Sequence, residues 1–241
     1  MKDLQRAVLE ANLALARSGL VTLSFGNVSG VDRAAGVLVI KPSGVAYAEL
    51  RAEDMAVVGL DDGRLVEGRL RPSTDTPTHR LLYRELPDIG GVVHTHSPYA
   101  SAWAQAGRSI PCLGTTHADY FRGSVPISRP LTQDEVGGDY EWETGKVILE
   151  TLRDGGRTAS DSPAVLVSSH GPFAWGASPA AAVDAAVALE AVAALAYRTL
   201  VLNAAVAEVS PELLSRHFDR KHGATAYYGQ PAADGKKGGR R

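Results

Sequence analysis

The chain has 241 residues, of which 44% are hydrophobic and 22% charged, so it is long and apolar enough to bury a full core. Its formal net charge of −2 gives no bulk electrostatic attraction to nucleic acid or to an anionic membrane. The single cysteine, Cys112, excludes an intramolecular disulfide framework and a thiolate-rich zinc site, and it suits a reducing compartment.

The first third of the sequence predicts one helix followed by short strands. An apolar stripe runs from Leu4 to Leu15 and ends at Gly19, which is typical of an amphipathic helix with a glycine at its C-cap. Three β-rich segments follow at 21–25, 37–40 and 55–58, and turn signals separate them.

The remainder alternates helices with buried strands. Thr76-Pro77 and Ser97-Pro98 predict helix starts, the first helix running to about Glu85. Further helices are predicted at about 134–152 and 178–201, and the runs GGVVHTHS and AVLVSSHG predict buried strands. This alternation, without a repeat or a linker, predicts one layered α/β domain.

The long apolar segment 180–206 contains Asp184, Glu190 and Arg198, so we expect a core helix and no membrane span. Composition favours core packing over a subunit contact for this helix. Charged residues near Met1 argue against a signal peptide, so we expect a cytoplasmic protein. We predict a single domain over residues 1–230 and a disordered basic tail over 231–241.

Three of the seven histidines lie where a metal site could form. His94 and His96 are two apart at the end of a predicted strand, so they point to the same face. His170 ends another buried run, and Asp75 could add an oxygen ligand. Imidazole and carboxylate ligands suit zinc first, with manganese or cobalt as substitutes. Without further context, the same residues also fit ordinary structural positions, with Asp75 starting a helix.

Three turn-rich segments could bind an anion: residues 24–27, 41–44 and 72–75. Their glycines allow close backbone approach, and their Ser, Thr and Asn side chains donate hydrogen bonds, although each segment alone also fits an ordinary hairpin turn. Two further histidines need not belong to a metal or binding site. We interpret His79 as a surface or packing residue, and His117 fits a site-lining and a structural role equally well.

In chain order, these segments resemble the class II aldolase/epimerase family, also called the aldolase/adducin family. The matching motifs are VTLSFGNVS, VIKPSGVAY, RPSTDTPTHRLLY, IGGVVHTHS, GTTHADYFRG, YEWETG, SSHGPFAWG and RKHGATAYYGQ. They span residues 4–230. The motifs THADYF, EWETG and KHGATAYYGQ are more specific to the 4-epimerases of pentulose 5-phosphates within this family.

The resemblance implies a three-layer α/β/α sandwich around a mixed, largely antiparallel sheet. It implies zinc bound by Asp75, His94, His96 and His170, and catalytic proton transfer by Asp119 and Tyr228. It further implies that substrate, chiefly its phosphate, is bound by Gly26, Asn27, Ser43, Gly44, Ser73 and Thr74, and that Thr115, Glu141 and His217 line the same cleft.

The implied activity is a zinc-dependent interconversion of L-ribulose 5-phosphate and D-xylulose 5-phosphate in pentose catabolism, such as L-arabinose breakdown. It would proceed by retro-aldol cleavage and re-formation of the C3–C4 bond. The implied assembly is a homotetramer with active sites at subunit interfaces. No nucleic acid or membrane partner is expected.

Three other functions compete with this one. The first is a class II zinc aldolase acting on a related ketose phosphate. The family's aldolases carry Glu where this chain has Asp75, and the shorter side chain favours the epimerase. The second is a non-catalytic, adducin-like interaction module, and the third is a zinc hydrolase, for which an HExxH helix is lacking.

Overall fold

A seven-stranded sheet lies at the centre of the protein. The computed structural model describes residues 1–223 and 226–227. The strands are β1 (Asn27–Asp32), β2 (Val37–Ile40), β3 (Ala56–Gly59), β4 (Leu65–Glu67), β5 (Gly91–His94), β6 (Ala164–Val167) and β7 (Gly171–Gly176). The helices are α1 (Lys2–Arg17), α2 (Thr76–Glu85), α3 (Pro98–Gln105), α4 (Thr115–Ala118), α5 (Gln133–Gly137), α6 (Tyr140–Asp154), α7 (Pro179–Leu202) and α8 (Pro211–His222).

The sheet has the order β4-β3-β2-β1-β5-β7-β6, and all neighbouring strands run antiparallel. Glycines with positive φ close its first two hairpins: Gly36 (φ 67°) joins β1 to β2, and Gly63 (φ 73°) joins β3 to β4. Within the described residues, parallel pairing is limited to one isolated bridge between Ile127 and Leu166.

Helices cover both faces of this sheet, which confirms the predicted α/β/α sandwich. Successive strand residues point to opposite faces, so Val93 packs with residues of α1, α3 and α7, whereas Val92 packs with residues of α2 and α6. Both neighbours are fully or almost fully buried, which is why the strand is uniformly apolar up to His94.

Helix α7 packs against β5, β7, α1 and α3, as predicted for a core helix. The carboxylate of Glu190, inside this apolar helix, accepts hydrogen bonds from the backbone amides of Tyr99 and Ala100 at the start of α3. By length and composition alone α7 could cross a membrane. Its outer face exposes large apolar side chains, including Leu195, Tyr197 and Val201.

The structure corrects two predictions of secondary structure and adds elements that were not predicted. Residues 21–25 form an exposed turn, because Gly26 has φ 83° and reverses the chain before β1 begins at Asn27. The helix predicted over 134–152 is two helices, separated at Gly138. Strands β1, β4 and β7 and helices α4 and α8 were not predicted. The tail 231–241 lies outside the described residues.

Candidate functional site

The order of the central strands brings the three histidines together at one end of the sheet. His94, the last residue of β5, is opposite Asn27 of β1 on one side and Phe173 of β7 on the other. His96 follows β5, and His170 lies in the tight turn that joins β6 to β7. Ser169 in that turn has φ 60°, a conformation that residues other than glycine adopt mainly where the surroundings impose it.

The imidazoles of His94, His96 and His170 each offer a nitrogen, and these nitrogens lie within 4.8 Å of one another. The Nε2 atoms of His94 and His96 are 3.0 Å apart. The Nδ1–H of His94 can donate to the Pro172 carbonyl at 3.0 Å, which leaves the Nε2 lone pair for a metal. Nδ1 of His170 lies 3.3 Å from the Tyr140 hydroxyl.

Burial, followed by the neighbouring imidazoles, lowers the pKa of His170 to about 4. The same two causes lower the pKa of His96. Neutral imidazole is the form that binds metal, so at neutral pH protons compete little with a metal ion for the nitrogens of His96 and His170. Three converging imidazoles fit a divalent ion such as zinc.

Asp75 lies beside the three histidines without belonging to their close cluster. Its Oδ2 accepts hydrogen bonds from Asn27 Nδ2 at 2.6 Å and from the Ser73 hydroxyl at 3.5 Å. Burial acts to raise the pKa of Asp75, but His94, His79 and Asn27 outweigh it and lower the pKa. Asp75 precedes the first residue of α2, and among the described residues its side chain makes no capping bond to that helix. Its carboxylate is therefore directed to the site.

The metal-ligand candidates share one cavity of about 430 Å³ with all three turn segments singled out in the sequence. Two of these segments are paired: Pro42 bridges Pro72, the Ser73 amide donates to the Lys41 carbonyl, and the Ser43 amide donates to the Arg71 carbonyl. These two amides hold the turns together, and the hydroxyl-bearing residues Ser43, Ser73 and Thr74 line the cavity. The predicted residues that line this cavity are Gly26, Asn27, Ser43, Gly44, Ser73, Thr74, Asp75, His94, His96, Glu141 and His170.

Gly26 is required at the junction of the cavity and the sheet. A Cβ atom there would lie 2.9 Å from both the His94 carbonyl oxygen and Val21 Cγ1, and the positive φ is unfavourable for any other residue.

Lys41 and Tyr140 also line the cavity. Lys41 was predicted only as part of the 41–44 turn, without a role for its ammonium group, and Tyr140 was not predicted as a site residue. Lys41 is 2% exposed, and its Nζ lies 3.4 Å and 3.3 Å from the carbonyl oxygens of Ser24 and Pro42. Burial lowers its pKa. A lysine directly after a buried strand and before Pro-Ser-Gly was the sequence signal for an anion-binding cation.

Asp119 and His217 form a second cluster, which is not part of this cavity. Asp119 follows α4, and α8 brings to it His217, at 3.1 Å from Oδ1, and Arg220, which donates to both carboxylate oxygens at 2.9 Å and 2.8 Å. Thr115 is an exposed residue at the start of α4 and does not line the cavity either. Tyr228 lies outside the described residues.

Neither His79 nor His117 lines the cavity that holds the three histidines. His79 is fully buried, and its Nδ1 lies 2.7 Å from the Ser29 hydroxyl, so its interpretation as a packing residue is confirmed. His117 is buried with Nε2 at 2.9 Å from the Gly123 carbonyl oxygen, away from the cavity.

Comparison with known proteins identifies the family. The sequence profile of the class II aldolase and adducin N-terminal domain matches residues 6–197. The chain belongs to the class II aldolase family. Proteins named L-ribulose-5-phosphate 4-epimerase UlaF, from Salmonella paratyphi B and Salmonella typhi, are 53% identical over 230 residues, which is 95% of this chain and 100% of each relative.

Solved structures of class II aldolases share the fold. An L-fuculose 1-phosphate aldolase superposes with a TM-score of 0.76 at 21% identity, covering 91% of this chain and 96% of that one. The L-fuculose-1-phosphate aldolase from Thermus thermophilus has a TM-score of 0.66 at 24% identity, covering 85% of this chain and 100% of that one. The predicted membership of this family is thereby confirmed.

Proposed function

We propose that this class II aldolase family member is a metal-dependent epimerase of the cytoplasm that interconverts L-ribulose 5-phosphate and D-xylulose 5-phosphate in pentose catabolism. The observation that carries the proposal is one cavity in which three converging imidazoles lie beside a Ser-Gly and Ser-Thr cradle with a buried lysine. The named epimerases that share 53% of the sequence support this choice of substrate.

The cradle would bind the phosphate of the substrate. Hydroxyls of Ser43 and Thr74 donate hydrogen bonds, and Lys41 supplies a positive charge that would pair with the phosphate. Gly44 has φ 71°, which gives the turn its reversal and keeps the cradle free of a side chain. Asn27 holds both Ser73 and Asp75 through its amide group, so it connects the phosphate end of the cavity to the metal end.

Inversion at C4 by simple proton removal is difficult, because the C4 hydrogen is not α to the C2 carbonyl. Loss of the C4 hydroxyl proton with cleavage of the C3–C4 bond gives glycolaldehyde phosphate and a three-carbon enediolate. Rotation of the aldehyde and re-formation of the bond give the other epimer. A divalent ion, most simply zinc, held by His94, His96 and His170 would supply Lewis-acid stabilisation of the charge that develops on the three-carbon fragment.

Two proton-transfer groups are needed on opposite sides of C4, because the hydroxyl points in different directions in the two epimers. We propose Asp119 and Tyr228 for these roles. Burial acts to raise the pKa of Asp119, but hydrogen bonds from Arg220 and His217 outweigh it and lower the pKa, so Asp119 enters the reaction as a carboxylate base.

The Asp119 cluster would reach the cavity of a neighbouring subunit. Thr115, Asp119 and His217 do not line the cavity that holds the histidines of their own chain, which supports a homotetramer with each active site shared between two copies. The exposed apolar face of α7 is consistent with association.

The experiment is conversion of L-ribulose 5-phosphate by the full chain, followed by ¹³C NMR, with the metal removed and then restored. We expect D-xylulose 5-phosphate only with metal, and only traces of free glycolaldehyde phosphate. His94→Asn should be inactive, whereas Asp62→Asn, at an exposed residue away from the cavity, should convert the substrate. Accumulation of glycolaldehyde phosphate would show a released-product aldolase, and full activity of the stripped protein would refute the metal requirement.

A further inference from the structure

Three residues of helix α8, His217, Arg220 and His222, contact Asp119. Arg220 donates from Nε to Oδ1 and from a terminal nitrogen to Oδ2, while His217, one turn earlier, contacts Oδ1. His222 Nε2 lies 2.8 Å from the backbone carbonyl oxygen of Asp119. The side chains of Asp119 and Arg220 are only 13% and 23% exposed.

The Arg220 contact is bidentate, which gives it a geometric effect that a single hydrogen bond lacks. Two parallel N–H···O bonds fix the plane of the carboxylate as well as its position. With Nδ1 of His217 on the Oδ1 edge, rotation of the Asp119 side chain would break three hydrogen bonds.

Helix α8 has another anchor that does not involve Asp119. Phe218 is 5% exposed, its ring lies 4.6 Å from that of His222, and the guanidinium of Arg122 lies over it at 5.6 Å. This apolar contact also attaches the helix, so the bidentate contact of Arg220 with Asp119 is not the sole attachment of α8 in the described residues.

We infer that Arg220 is a positioning residue that fixes the orientation of the Asp119 carboxylate for proton transfer at C4 of the substrate. The inference rests on the proposed role of Asp119. Arg220 acts through Asp119 and not on the substrate, so its contribution disappears when Asp119 is absent.

Other charged groups near Asp119 enter the interpretation of any pH dependence. Besides Arg220 and His217, the groups on the segments packed here are His117, Arg122, Glu208, Lys221 and His222. Helix α7 faces α4 with Val192 and Leu195, and its Asp184 lines a neighbouring cavity together with Tyr120, Lys221 and His222. Among these groups, only His217 and Arg220 contact the carboxylate oxygens in the described residues.

The test is a double-mutant cycle on epimerase activity with Arg220→Gln and Asp119→Ala. Arg216→Gln, an exposed arginine on the same helix, is the matched control. We expect Arg220→Gln to lower kcat about 10- to 100-fold with little change in KM. In the Asp119→Ala background the same change should alter kcat less than about twofold, because the two residues act as one unit.

Two further readouts separate positioning from simple support of the fold. In Arg220→Gln the acid limb of the kcat profile should move to higher pH, since loss of the guanidinium lets the pKa of Asp119 rise. Arg220→Lys keeps the charge but not the fork, and should recover part of kcat. If Arg220→Gln does not fold, as judged by circular dichroism, Arg220→Lys is measured in the same cycle, with a smaller loss expected.

The inference is wrong if the two substitutions multiply in the cycle, if Arg220→Gln changes only KM, or if its pH profile coincides with that of wild type. An inactive wild-type protein would instead refute the proposed function. In that case the carboxyl pKa of Asp119, followed by NMR in the full chain, must still rise in Arg220→Gln. An unchanged pKa would refute the bidentate contact between Arg220 and Asp119.

Discussion

Substitution of Asp75 by Asn should weaken metal binding far less than substitution of His94 by Asn. The nitrogen atoms of His94, His96 and His170 converge within 4.8 Å, whereas the Asp75 carboxylate is hydrogen-bonded to Asn27 and Ser73. We therefore expect the histidines to be the firm ligands and Asp75 to be a variable or supporting one.

The expected magnitudes follow from what each side chain contributes. Loss of a supporting partner typically weakens metal binding about 10- to 100-fold, which is about 1.4 to 2.7 kcal/mol. A zinc site worth about 10 to 16 kcal/mol, divided evenly over four ligands, assigns roughly 2.5 to 4 kcal/mol to each ligand, which is a loss of about 70- to 900-fold. At the middle of the two ranges, about 30-fold and about 250-fold, the two substitutions differ by about eightfold in zinc affinity.

The assay is competition for Zn²⁺ against a chromogenic chelator, with Asp62→Asn, an exposed aspartate away from the cavity, as the control. Asp62→Asn should bind zinc like the wild type. If Asp75→Asn loses zinc as completely as His94→Asn, Asp75 is a full ligand and the ranking is wrong.

Three further predictions use other parts of the structure. Lys41→Met should raise KM for L-ribulose 5-phosphate about 10- to 100-fold but change turnover of unphosphorylated L-ribulose little. Lys146→Met, at an exposed lysine, is the control. Equal effects on both sugars would contradict a phosphate-binding role for Lys41. Inactive His94→Asn and Asp119→Ala subunits, when mixed and reassembled, should regain activity in about a quarter of the sites, and no recovery would contradict a shared active site. The unfolding free energy of the metal-free protein should fall as pH drops from about 6.5 toward 4. Burial lowers the pKa of His117 to about 4, so in this pH range the unfolded chain binds protons more strongly than the folded protein. In His117→Gln the unfolding free energy, measured by urea titration, should depend less steeply on pH.

Features encoded locally were the ones that the sequence predicted well. The Thr76-Pro77 and Ser97-Pro98 pairs mark the starts of α2 and α3 to within a residue, because proline fits the first turn of a helix. The two-residue spacing of His94, the last residue of β5, and His96, just beyond the strand, predicted that both imidazoles point the same way, and the structure brings them together.

Errors occurred where tertiary contacts override local preference. Residues 21–25 have strand-like composition, yet Leu23 has φ 55° and is 79% exposed in the turn before β1. Helix α8 buries one residue, Phe218, among its described side chains, so it lacks the apolar stripe that would predict it, although Ser210-Pro211 was a helix-start signal.

The second cluster could not be predicted from spacing. Arg220 meets Asp119 across 101 positions of sequence, and the pairing arises only because α8 packs on α4. Lys41 and Tyr140 also line the cavity through contacts between distant parts of the sequence. The order of the strands brings these parts together, and no single segment predicts that order.

The most direct test of the central claim is conversion of L-ribulose 5-phosphate by the zinc-loaded protein in D₂O, with the product examined by NMR. Cleavage and re-formation of the C3–C4 bond predict D-xylulose 5-phosphate with no deuterium at C4, because the C4 hydrogen never leaves its carbon. Deuterium at C4, or the absence of D-xylulose 5-phosphate, would contradict the account.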